Sequence, residues 1–176
     1  MGLERPHLVG TAAGAIVAID YALSFPARVR SLVIANSHFG VQDESYLALG
    51  RRLRPSPQFE ALPPEFRELG PAYRAADEAG TVRWIHLVHA GRPARPRAQS
   101  QSYLNQLTLD GLSTLSMPTF VLTGGADLYS PPAAVRICAD RIPCVRFLSI
   151  PDVGHSAYWE QPDTFNRAVT EFLAKH

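Results

Sequence analysis

The stretch Pro6-His7-Leu8-Val9-Gly10-Thr11-Ala12-Ala13-Gly14-Ala15-Ile16-Val17-Ala18 decides how the chain is read. Its apolar start predicts a short strand, roughly Arg5 to Val9, buried on both faces. From Ala13 to Phe25, residues Ala15, Ile16, Ala18, Ile19, Ala22 and Leu23 recur at helical spacing, so a helix with an apolar stripe follows. Pro26 ends it. The joint, Gly10 to Gly14, reads G-x-A-x-G, one residue away from G-x-S-x-G. In that pattern the central residue sits on a strained strand-to-helix turn, and a Ser there lifts its hydroxyl clear of the sheet. Both glycines are expected for a steric reason: the apex is strained, and strand and helix must approach closely. Ala12 at the apex carries no nucleophilic atom.

Working outward, Arg30 to Asn36 is a second apolar strand. A helix between two such strands is a βαβ unit, which calls for a parallel sheet. Pro118 to Thr123 and Cys144 to Ile150 read as further strands, with helices over Pro132 to Arg141 and Pro162 to Ala174. The last helix has Phe165, Ala168, Val169 and Phe172 on one face. The middle differs in character. Proline-rich punctuation separates helical pieces over Asp43 to Arg52, Pro64 to Leu69, Gly80 to His89 and Gln99 to Leu109. Trp84, Leu87 and Val88 share a face of the third piece, and Tyr103, Leu104 and Leu107 a face of the fourth. Arg92, Arg95 and Arg97 form a basic cluster that reads as solvated, or else as a contact for an anionic substrate or partner.

Composition excludes several classes. The chain has 176 residues and a formal net charge of +1, without the basic excess of a nucleic-acid binder. No apolar run approaches the ~20 residues of a membrane span. No signal peptide is visible, which points to the cytoplasm. Cys138 and Cys144 read as reduced thiols that fill space. His86 and His89 are spaced for a metal on a helix, but no third ligand accompanies them. No metal or cofactor is expected, since Gly10 and Gly14 alone make no dinucleotide fingerprint.

Two residues stand just past predicted strands on the same edge as Ala12. Asp127 follows Gly124-Gly125, and His155 follows Gly154. Acyl-transfer chemistry uses a nucleophile, an imidazole to take its proton, and a carboxylate to orient the imidazole. Asp152 is a competing carboxylate that more naturally shapes a turn. His38, in the loop after the second strand, lies on the side where open α/β sheets bind ligands.

The chain resembles the α/β-hydrolase fold superfamily, on the side of the esterases, lactonases and carbon–carbon-bond hydrolases. The matching text is His7-Leu8-Val9-Gly10, Asp20-Tyr21-Ala22, Phe25-Pro26-Ala27-Arg28-Val29 and Leu32-Val33-Ile34, then Pro118 to Asp127, then Pro151 to Ser156. The resemblance implies an α/β fold with a parallel sheet flanked by helices. It divides the chain into a core, 1–38 and 116–176, and an inserted helical cap, 39–115, that closes over a small-molecule substrate. It implies Ala12 at the nucleophile position, Asp127 as acid and His155 as base, and one oxyanion donor in the backbone N–H of Ala13. His38 and Trp84 are candidate substrate contacts. The family also places further strands and an oxyanion loop ahead of the elbow, where only Met1 to Arg5 stand here. The chain is therefore expected to be weak or inactive as a hydrolase. The alternatives are a non-catalytic relative that binds a small apolar ligand or a protein partner, and an incomplete gene product. An exposed first strand is expected to favour a homodimer.

Overall fold

Strands β1 (His7–Thr11), β2 (Ser31–Ala35), β3 (Thr119–Gly124) and β4 (Arg146–Ile150) form one parallel sheet in that order. The structure, a computed structural model, describes residues 4–91 and 102–176. Crossover helices make the pairing parallel. Helix α1 (Ala13–Ser24) returns the chain from β1 to β2. Between β2 and β3 run α2 (Glu44–Leu53), α3 (Gln58–Ala61), α4 (Pro64–Glu68), α5 (Pro71–Ala76), α6 (Glu78–Ala90) and α7 (Leu109–Leu112). Helix α8 (Pro132–Ala139) joins β3 to β4, and α9 (Ala157–Glu160) and α10 (Pro162–Leu173) follow. No helix among the described residues is long and apolar enough to cross a membrane.

The core has two faces because side chains alternate along each strand. Leu32, Ile34 and Val121 join Ala15, Ile16 and Ile19 of α1 and Val135 and Cys138 of α8. Val33, Ala35, Phe120 and Leu122 point the other way, onto Phe165, Ala168, Val169 and Phe172 of α10. Every residue of β2 and β3 is buried.

Strand β1 is not buried on both faces as its apolar text predicts; it is the exposed first strand that was also expected. It pairs only with β2 among the described residues, and Val9 is 47% exposed. The elbow glycines also part company. A Cβ on Gly10 would lie 2.5 Å from the Ala15 Cα, so α1 packs directly against the strand there. A Cβ on Gly14 would meet nothing within 4 Å, so close approach explains Gly10 alone.

Three expected helical pieces between β2 and β3 are present as α2, α4 and α6. Helices α3 and α5 were not foreseen; their four and six residues are too short for a clear periodicity. The expected helix over Gln99 to Leu109 is absent from its described part, which is irregular from 102 to 108. There the Asp20 carboxylate accepts the Leu104 and Asn105 N–H groups at 3.0 and 2.8 Å, and the Asn105 side chain bonds Asp20 and Ser24. These bonds take donors that a helix would use. Burial by itself would raise the Asp20 pKa; the hydrogen bonds outweigh it and hold it below the ordinary value. Leu104 is 75% exposed while Leu107 is buried, so the expected shared face does not exist. Nor does the face of α6: Trp84 is buried but Leu87 is 56% exposed. The Arg92, Arg95 and Arg97 cluster lies outside the described residues.

Candidate active site

Parallel strands bring all four carboxyl ends to one edge, where loops carry Ala12, Asn36, Asp127 and His155. Ala12 sits between β1 and α1 with φ 48° and ψ −121°, a conformation costly for an L-residue by about 1–3 kcal/mol. Its N–H donates to the Ala35 carbonyl at 3.0 Å, which ties the apex to the end of β2. Ala13 opens α1, so its N–H has no carbonyl one turn back to bond within the helix.

The exits of β3 and β4 are zipped together. Gly125 donates to the Ile150 carbonyl at 2.7 Å and Ala126 to that of Val153 at 2.8 Å. This brings Asp127 and His155 into contact, with Nδ1 of the imidazole 2.8 Å from Oδ2 of the carboxylate. The Asp127 side chain is wholly buried. Its other oxygen accepts the Ser130 N–H at 2.8 Å, and the Asn36 amide lies 3.4 Å from Oδ2. The same amide donates to the Gly154 carbonyl at 3.2 Å, bracing the residue before the histidine. Asp152, in contrast, is exposed with φ 59° and shapes the turn.

The loop of His155 is also held from the other side. The Glu68 carbonyl accepts the N–H groups of His155 and Ser156 at 2.7 and 3.1 Å. The buried Glu160 carboxylate accepts those of Gly154 and Gly70, each at 3.0 Å. Burial raises the Glu160 pKa against the pull of these donors. The two backbones touch: a Cβ on Gly154 would lie 2.5 Å from the Gly70 nitrogen and 2.7 Å from the Glu68 oxygen.

Beside this arrangement opens a cavity of about 420 Å³. His38, Tyr129 and Ser130 line it on the side of the Asp127–His155 pair. The Tyr129 ring packs on the imidazole of His155 at 5.0 Å between centroids, and Phe59 meets Tyr129 edge-on at 5.1 Å. Burial, then the positive charge of Arg54, lowers the His38 pKa, so the ring is neutral near pH 7. Trp84 is buried in α6 and does not line the cavity; the structure gives it a packing position. Cys138 is buried and its thiol is pushed up to about 12 by burial, which keeps it protonated and inert. Sequence reasoning passed over Asn36, Tyr129 and Glu160. Asn36 offered one signal, a polar residue directly after a wholly apolar strand.

The profile of the alpha/beta hydrolase family matches residues 2–168. The chain belongs to this family. It is 31% identical over 182 residues to RutD of Variovorax paradoxus (strain S110), provisionally named a carbamate hydrolase, covering 97% of this chain and 66% of that one. It is 25% identical over 185 residues to the 2-hydroxy-6-oxononadienedioate/2-hydroxy-6-oxononatrienedioate hydrolase of Comamonas testosteroni, covering 99% and 64%. Among solved structures, a thermophilic esterase from Thermogutta terrifontis superimposes with a TM-score of 0.74 at 25% identity, over 98% of this chain and 65% of that one. The chain thus spans about two thirds of the length of these relatives.

Proposed function

We propose that this chain carries the acid–base part of an acyl-hydrolase site acting on esters, lactones or carbon–carbon bonds of small carbonyl substrates, with Ala12 at the nucleophile position. The observation that carries the reading is the 2.8 Å contact of His155 Nδ1 with the buried Asp127 carboxylate. In this reading Asp127 holds the imidazole in one tautomer, leaving Nε2 to take a proton. The Ala13 N–H offers a hydrogen bond to the developing oxyanion. The helical segment 39–115 acts as a cap over the cavity, and core and cap divide at 1–38 and 116–176. Relatives named as hydrolases of a carbamate and of a 2-hydroxy-6-oxo dienedioate support the reaction class. Without a hydroxyl at position 12 the covalent step has no attacking atom, so turnover is weak or absent. That same lack of a hydroxyl favours a second reading, a pocket that binds a carbonyl compound without turning it over.

Hydrolysis of a p-nitrophenyl ester by this chain and by its Ala12→Ser variant separates the two. A gain of about 10³-fold or more in the variant supports the hydrolase reading. Equal, background-level rates in both, with the ester still bound, support the second.

A further inference from the structure

We propose that the cavity beside His155 takes a substrate bearing a free carboxylate, held by Arg54 and Arg67; this rests on reading the Asp127–His155 edge as the reacting site. The cavity wall carries Arg51, Arg54 and Arg67 against a single carboxylate, Glu60, which is exposed at the rim. Arg51 is already engaged, 2.5 Å from Glu44. Among the described residues no carboxylate lies within salt-bridge distance of Arg54 or Arg67; the half-buried Glu68 carboxylate is near enough to feel the charge of Arg67 but does not pair with it. The remaining segments, 1–3 and 92–101, contain no Asp or Glu at all.

Arg67 is the stronger anchor. Its Nε is buried and has no hydrogen-bond partner among the described residues. A guanidinium donor withdrawn from water and left unbonded is unfavourable, and a ligand acceptor relieves that cost. The guanidinium carbon stands 5.7 Å from the Tyr129 centroid, and Tyr129 in turn packs on His155. An anion at Arg67 is therefore one aromatic ring away from the imidazole. A chain of a few methylenes from that anion would carry a carbonyl to the sheet edge. Arg54 adds a second positive charge, felt by His38 as a lowered pKa.

A carboxylate fits better than a phosphate. Its planar pair of oxygens matches the guanidinium fork. Glu60 on the same wall repels a dianion more than a monoanion. The half-ester of a short dicarboxylic acid has the required form: one neutral carbonyl and one carboxylate.

The test uses the chain as it stands, since binding needs no nucleophile. Monomethyl glutarate, dimethyl glutarate and methyl phosphate are titrated against the ¹⁵N-labelled protein, following the arginine Nε–H resonances. Monomethyl glutarate should bind about tenfold tighter than the diester and shift the Arg67 signal. Arg67→Gln should erase that preference while leaving diester binding as it was, and Arg54→Gln should weaken the monoanion alone. If one variant fails to fold, the other still decides. Equal binding of mono- and diester, stronger binding of methyl phosphate, binding of neither ester, or a preference that survives both substitutions overturns the proposal. The Ala12→Ser variant, assayed in parallel on a neutral p-nitrophenyl ester, separates the two readings. Turnover there without a carboxylate preference sinks this inference and leaves the hydrolase reading standing. A carboxylate preference without turnover does the reverse.

Discussion

Strands β2 and β3 and the helical run between them are held by different forces. The strands are buried at every residue and pack an apolar layer on each face. The run contains helices of four to six residues, α3 to α5, far below the length at which a helix is stable alone. It enters the apolar core at Tyr46, Leu107 and Leu112, and polar contacts over long sequence distances fasten the rest. Glu68 and Gly70 meet the His155 loop, Asp43 takes the Leu109 N–H at 2.8 Å, and Asp20 takes those of Leu104 and Asn105. A sheet held by area tolerates the loss of one contact. A segment that enters the core at a few residues and otherwise depends on hydrogen bonds and close backbone approaches tolerates it less, and that segment supplies most of the cavity wall.

The largest break should come where the two regions touch. Gly154→Ala forces a methyl into the Gly70 and Glu68 backbone, and neither neighbour is a flexible side-chain tip. We expect a loss of about 3 kcal/mol in urea unfolding. A loss below about 1 kcal/mol would mean the approach relaxes freely and the contrast between the regions is overstated. Asp20→Ala removes the acceptor of the Leu104 and Asn105 N–H groups, with an expected cost of about 2 kcal/mol. Hydrogen exchange at those two amides should accelerate while that of β2 and β3 stays slow; uniform acceleration would show that the anchor serves the whole core.

A smaller effect isolates His38. Its folded pKa is depressed by burial and by Arg54, so the unfolded chain binds a proton more readily. The protein should lose stability relative to His38→Gln as pH falls below about 6.5, levelling off below the folded pKa. The raised pKa values of Glu68 and Glu160 act in the opposite sense, and they are common to both chains. Parallel pH profiles for the two chains would remove His38 from the electrostatics of the cavity. The smallest change is expected at the elbow. Gly14→Ala should stabilise by up to about 1 kcal/mol, because the new methyl meets open space and alanine favours a helix. Destabilisation by the same amount would restore a packing role to that glycine.

Local sequence made the central part of this fold legible. The unbroken apolar run Leu32 to Ala35 and the stripe Phe165, Ala168, Val169, Phe172 announce a strand covered on both faces and a helix covered on one, and the structure buries them so. Asp127 and His155 were singled out because each follows an apolar strand, and in a parallel sheet every such exit lies on one edge. Residues 102 to 108 misled for the converse reason. Apolar spacing there suggests a helix, yet the choice is made by a carboxylate more than eighty positions away. Arg67 and Glu160 gave no signal, since a charged residue in a short helix reads as solvated until its neighbours are known.

Periodicity and strand exits, which depend on residues a few positions apart, therefore determined the strands and their parallel sense, and set Asp127 and His155 just past two of those strands. Only the tertiary structure decided which carboxylate faces His155, that Gly10 and not Gly14 is sterically required, and that Arg54 and Arg67 line one cavity with no carboxylate in salt-bridge distance among the described residues. Those outcomes depend on distances between segments remote in the chain, and packing alone sets such distances.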